Sequence, residues 1–108
     1  MISCGEASGD LYAAALAQDL RASDPAVEVF GFGGPRLAGA GATLIGSYTG
    51  LSVTGLVEAA SIVSKSWRMI RAVGAAAEAR RPDVFVAIDF PDFNFRLLPV
   101  MRRLGIPI

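Results

Sequence analysis

Apolar residues in this chain fall into short runs, separated by longer stretches with helical spacing. Residues 1–4 form an apolar run that breaks at Gly5 and reads as the end of a buried strand. A helical pattern opens at Ser8, with Ser8 placed as N-cap and Asp10 near the positive helix end. Leu11, Ala14, Ala15 and the stretch 16–20 are expected to face inward, while Gln18, Asp19 and Arg21 face water. Asp24-Pro25 ends this helix, because the proline ring disfavours helical geometry at the preceding residue. Residues 27–32 are rich in β-formers and predict a second strand, closed by Gly33-Gly34-Pro35. A short helix over 35–40 and a weak third strand over 43–45 follow.

After a turn-rich stretch at 46–50, one long helix is predicted over 56–80. Leu56, Ala60, Val63, Trp67, Ile70 and Ala77 recur there at approximately helical spacing, and Pro82 stops it. Residues 83–89 predict a fourth strand whose core, Val84-Phe85-Val86-Ala87-Ile88, is apolar throughout, the pattern of a parallel strand buried on both faces. A helix over 95–104 tolerates Pro99 and stops at Gly105, and 106–108 reads as the start of another strand. This β-α-β-α-β-α-β-α-β order predicts an α/β fold: a Rossmann-like, doubly wound parallel sheet with strand order 3-2-1-4-5. A clipped first strand, and a last strand with no helix behind it, read as a fragment cut within a larger Rossmann-like domain.

Composition narrows the functions open to such a sheet. The 108 residues hold one small domain, and 53% hydrophobic against 19% charged residues excludes intrinsic disorder. Ten basic and ten acidic side chains cancel, leaving no global basic field for nucleic acid. The chain has no histidine, so His-based metal sites and Ser-His-Asp triads are excluded within it. The lone Cys4 forms neither an internal disulfide nor a CxxC site, which fits a reducing cytoplasm. No apolar run approaches the roughly 18 residues that span a bilayer, and the first residues lack a signal-peptide pattern.

Ligands of parallel sheets bind beyond the carboxyl ends of strands, where the winding reverses. Glu6 follows the first strand and Asp89 ends the fourth; with those strands adjacent, both carboxylates line one crevice. Glu6 reads equally well as a helix-cap partner or a site group. For Asp89 a functional role is favoured, because Asp89-Phe90-Pro91-Asp92 sets an ionisable group between apolar segments at that edge. By spacing, Asp92 reads as a cap for the helix after Pro91, and Asn94 as a group solvating its first turn. The loop Gly5-Glu6-Ala7-Ser8-Gly9 is neither GxGxxG nor a P-loop, and the second strand ends without the acidic residue that grips an NAD ribose. Dinucleotide and ATPase chemistry are therefore disfavoured. What remains is a loop bringing N–H groups and a carboxylate to a polar ligand, phosphorylated ligands included. Between 51 and 71, Leu56, Val57, Ile62, Val63, Trp67, Met69 and Ile70 cover more than one stripe, beside Lys65, Arg68 and Arg71. That pattern is shared by a helix resting on an anionic membrane and by an ordinary sheet-covering helix, the second being commoner.

Four blocks, taken together, are specific. They are Gly5-Glu6-Ala7-Ser8-Gly9-Asp10, Gly33-Gly34-Pro35-Arg36, Leu51-Ser52-Val53-Thr54-Gly55-Leu56-Val57-Glu58 and the run from Asp83 through Asp89-Phe90-Pro91-Asp92-Phe93-Asn94. In this order and spacing the chain resembles the N-terminal part of the lipid-A-disaccharide synthase family, inverting glycosyltransferases of the GT-B fold. The resemblance implies transfer from a UDP-2,3-diacylglucosamine donor to a 2,3-diacylglucosamine 1-phosphate acceptor, giving a β(1→6) disaccharide and UDP without metal or other cofactor. It makes Asp89 the general base, puts Glu6 in the catalytic crevice, and implies substrate binding by Ser8, Asp10, Asp92 and Asn94. The pattern departs from the family at Phe90, where a smaller residue is expected. Residues 1–108 correspond to part of the acceptor-side domain, and the donor-binding domain lies outside this chain. Because acylated substrates are insoluble, the resemblance also implies contact with an inner-membrane lipid surface through Val57, Val63 and Trp67, at the cytoplasmic face. A non-catalytic Rossmann-like module binding a nucleotide sugar or a partner, and another GT-B enzyme such as a UDP-sugar epimerase, are the alternatives. Four blocks in sequence argue against both.

Overall fold

Alternation along the strands sends side chains to both sides of one sheet, and helices cover each side. The computed structural model describes residues 1–51 and 56–108, without the side chains of 56–59. Its elements are β1 (Ile2–Cys4), α1 (Glu6–Ser23), β2 (Phe30–Gly33), α2 (Pro35–Gly39), β3 (Thr43–Ser47), a 3₁₀ turn (Tyr48–Leu51), α3 (Leu56–Arg80), β4 (Val86–Ile88) and α4 (Pro91–Arg103). All four strands are parallel, in the order β3-β2-β1-β4. The expected doubly wound α/β arrangement is therefore present, with β1 and β4 neighbours in the register Ser3↔Ala87 and Cys4↔Ile88.

On one face Ile2 and Cys4 pack with Ala13 and Ala17 of α1, Val29 and Leu37. On the other, Phe30, Phe32 and Phe85 meet Ile70, Val73 and Ala77 of α3 and Phe93, Leu97 and Met101 of α4. Burying each large apolar side chain contributes about 1.5–3 kcal/mol, so these two layers carry most of the driving force.

Several local expectations are corrected. Helix α1 begins at Glu6 with Gly5 as its N-cap, so Ser8 is an exposed first-turn residue and not the cap. Its inward face is Gly9, Asp10, Ala13, Ala14 and Ala17, whereas Leu11, Ala15 and Leu20 are exposed. Small residues win that face because they let the helix lie close to the sheet, with Gly9 against Cys4 and Ile88. The second strand spans only Phe30–Gly33, and the fourth only Val86–Ile88. Strand β4 borders the described sheet, so it is not buried on both faces: Val84 is 44% exposed and Ala87 is exposed. Helix α4 starts at Pro91, four positions before the expected 95, because a proline at the first helical position has no N–H to lose. Residues 106–108 form no strand, although the Phe85 N–H donates to the Pro107 carbonyl at 2.8 Å beside β4. The helix predicted over 56–80 is present with those bounds. Ser52, Val53, Thr54 and Gly55 of the third sequence block lie outside the described residues.

Candidate active site

Adjacent parallel strands deliver their following residues to the same edge. Glu6 stands two residues past Cys4 and Asp89 one residue past Ile88, and those two strand positions are paired. Both acidic residues are exposed, as is Ser8 in the first turn of α1. The backbone here is unusual: Glu6 (φ 69°), Asp89 (φ 49°) and Phe90 (φ 52°) all adopt left-handed conformations without being glycine. Such conformations cost of order 1–3 kcal/mol each and cluster at functional sites. Among the described residues only Arg81 shares the property elsewhere.

Phe90, unexpectedly large for its place, closes the floor of this edge. Its ring stacks on Phe93 at 5.1 Å between centroids and lies 6.2 Å from Phe32, which itself stacks on Phe93 at 4.4 Å. A Cβ placed on Gly5 would overlap the Phe90 ring, so only glycine lets the β1 loop pass over it.

Two residues expected at the substrate are turned inward. Asp10 is 0% exposed, and its carboxylate accepts hydrogen bonds from the N–H groups of Gly34 (2.9 Å), Arg36 (2.9 Å) and Leu37 (3.1 Å). The Tyr48 hydroxyl lies at 3.5 Å. Asp10 therefore caps α2 from α1, consuming the donors that the Gly33-Gly34-Pro35-Arg36 turn presents. A hydrogen bond to a charged group contributes about 1.5–3 kcal/mol, so this is an organising role. Asn94 is 3% exposed and bonds to Ser3 and to the Asp89 carbonyl, inside the protein and away from solvent. Sequence alone does not show this inward turn, because burial is invisible in a local pattern.

Asp92 stays exposed, in the first turn of α4, but it makes no cap: Phe90 is the N-cap and no side chain caps that end. It borders a cavity of about 330 Å³ between α3 and α4, with Trp67, Val63, Phe90 and Arg96. Val63 is 59% and Trp67 45% exposed, so neither belongs to the sheet-covering stripe, which runs instead through Ile70, Val73 and Ala77. The Arg96 guanidinium sits 4.8 Å from the Trp67 ring centre, a cation–π contact. The side chain of Val57 lies outside the described residues. None of the described helices is long and apolar enough to cross a membrane.

Burial, reinforced by the Asp10 charge, pushes the Cys4 thiol up to about 12, so it stays protonated beneath the site. Among the described residues no group of three His, Cys, Asp or Glu stands together in a way that could hold a metal ion.

A parallel α/β sheet with exposed carboxylates beyond two neighbouring strand ends is a Rossmann-like unit, a class whose ligands generally bind at that edge. Within that class the chain is more closely placed: the family model described as lipid-A-disaccharide synthetase matches residues 1–108, and the chain belongs to that family. The lipid-A-disaccharide synthase of Myxococcus xanthus is 39% identical over 108 residues, which is 100% of this chain and 28% of the relative. Those of Anaeromyxobacter sp. (strain K) and Koribacter versatilis are each 40% identical, over 108 and 109 residues, with the same coverage. The chain thus spans 28% of the length of these relatives.

Proposed function

We propose that the protein carrying this chain is a glycosyltransferase of lipid A biosynthesis. It joins UDP-2,3-diacylglucosamine to 2,3-diacylglucosamine 1-phosphate, forming the β(1→6) disaccharide 1-phosphate and releasing UDP. Residues 1–108 belong to the acceptor-side domain of a GT-B enzyme, and a second Rossmann-like domain holds the donor. The observation that carries the reading is Asp89, exposed on a left-handed elbow at the carboxyl edge of β4, in a chain that belongs to this family throughout its length.

A sugar hydroxyl is a poor nucleophile, so a carboxylate must take its proton as the new bond forms. Asp89 accepts the proton of the acceptor's 6-hydroxyl, the oxygen attacks the donor's anomeric carbon from the face opposite the leaving group, and the bond to UDP breaks. Glu6 and Ser8, on the neighbouring strand end, orient the acceptor, and Asp92 contacts it from the first turn of α4. The test is disaccharide formation by the complete protein from these two substrates. UDP release without disaccharide would mean that another nucleophile attacks the donor.

The acylated substrates place the work at the cytoplasmic face of the inner membrane, and the exposed Val63 and Trp67 beside Lys65, Arg68 and Arg71 suit that surface. Replacing both Val63 and Trp67 by Ser should lower binding of the complete protein to anionic liposomes by about tenfold or more, with little change in thermal midpoint. A double variant that unfolds makes these residues core. One that folds and binds like the parent puts the lipid contact elsewhere.

A further inference from the structure

Beneath the Asp89-Phe90 elbow lies a buried hydrogen-bonded pair that the proposed proton transfer does not use. Asn94 Nδ2 donates to the Asp89 carbonyl oxygen at 2.7 Å, and Ser3 Oγ donates to Asn94 Oδ1 at 2.6 Å. A weaker bond at 3.4 Å runs from Nδ2 to the Ser3 carbonyl. The Asp89 and Ser3 carbonyls, which can only accept, fix which way the Asn94 amide faces, its NH₂ toward Asp89, and the Ser3 hydroxyl then donates to its oxygen. Ser3 itself is fully buried in the interior strand β1 and registered opposite Ala87 of β4. The pair ties a rigid strand, the first turn of α4 and the elbow into one unit.

The elbow needs such a tie. Two successive non-glycine residues in left-handed geometry persist only where the surroundings over-determine them. The Phe90 ring is held by stacking, and the Asn94 N–H donates to the Phe90 carbonyl at 2.9 Å, but the Asn94 side chain is the group that holds Asp89. An aspartate in place of Asn94 would match its shape and turn an acceptor toward an acceptor. An alanine would leave the Asp89 carbonyl and the Ser3 hydroxyl without partners.

We propose that Asn94, held by Ser3, is a positioning residue for Asp89, holding the elbow so that the carboxylate stands at the acceptor hydroxyl. This inference rests on the reading of Asp89 as the general base. Misplacing a reacting group by about 1 Å can lower a rate by about 10²-fold, which sets the scale of the effect.

The test is a double-mutant cycle in the complete enzyme at saturating donor and acceptor, with circular dichroism and thermal midpoint as folding controls. Asn94→Ala and Asn94→Asp are expected to lower kcat by about 10²-fold, with KM for both substrates changed by no more than about twofold. Ser3→Ala is expected to lower kcat in the same direction by less. In an Asp89→Asn background, adding Asn94→Ala should lower kcat no further, because no base remains to be positioned. Unchanged kcat in a folded Asn94→Ala enzyme, or losses that multiply with Asp89→Asn, overturns the inference and leaves the base reading standing. If Asn94→Ala does not fold, Ser3→Ala is taken through the same cycle, and the same two outcomes overturn the inference. Normal turnover in Asp89→Asn alone overturns the base reading itself, and the positioning role falls with it.

Discussion

Asp89→Asn in the complete enzyme is expected to lower turnover by roughly 10²–10⁴-fold, the usual loss when a positioned general base is removed, while its circular dichroism should match the parent. The amide keeps the size of the side chain, and the backbone carbonyl that Asn94 holds is untouched. What disappears is the group proposed to take the proton of the attacking hydroxyl. Glu6→Gln should have a smaller effect, since the role proposed for Glu6 is to orient the acceptor from the neighbouring strand end. Asp92→Asn should be milder still: Asp92 makes no cap, and a charge in the first turn of a helix contributes only about 0.3–1 kcal/mol. The assay is disaccharide formation at saturating substrates. Near-normal turnover in Asp89→Asn, or a larger loss in Asp92→Asn, would show that another carboxylate takes the proton.

The largest expected stability loss lies at Gly31. Replacing it by alanine should destabilise the protein by roughly 3–5 kcal/mol, read as a fall in thermal midpoint or loss of soluble protein. Gly31 has φ 151°, which L side chains rarely adopt, and a Cβ there would overlap the Ile2 carbonyl oxygen. That oxygen cannot retreat cheaply, because Ile2 is paired with Gly31 on one side and Val86 on the other. Gly39→Ala provides the control. No atom lies within 4 Å of a Cβ placed there, and Gly39 ends the short helix α2, so the change should be neutral or stabilising by up to about 1 kcal/mol. Equal behaviour of the two variants would show that the close approach of β1 and β2 is not what holds Gly31.

The parallel α/β order was legible because each element carries its own period and its own stop. Pro25 ended α1, Pro82 stood just past α3, and Gly105 followed α4 in left-handed geometry. Strand lengths were less legible. Val27 and Val84 have the composition of strands, but they lie outside β2 and β4, because pairing depends on what neighbours a strand and composition does not report that. The inward face of α1 was misread for a related reason. Leu11, Ala15 and Leu20, expected inward, are exposed, while Gly9 and Ala13 join the expected Ala14 and Ala17 in the interior, because a close helix–sheet contact favours small residues.

The candidate site divides along the same line. That Glu6 and Asp89 occupy one edge followed from strand order alone, since parallel neighbours bring their carboxyl ends together. Short-range spacing could not tell which polar residues there meet a ligand and which hold the protein together. Asp10 and Asn94 lie inside the same sequence blocks as Glu6 and Asp89, yet one caps a helix 24 residues away and the other bonds to Ser3 across 91 residues. By itself, then, the sequence determined the fold class, the order of elements and the edge that Glu6 and Asp89 share, because these follow from periodicity and from turn residues acting over a few positions. Only the tertiary structure decided which carboxylate is spent on structure, which backbone is left-handed, and how Val63 and Trp67 came to be exposed, because burial and hydrogen-bond partners are set by residues far apart in the chain.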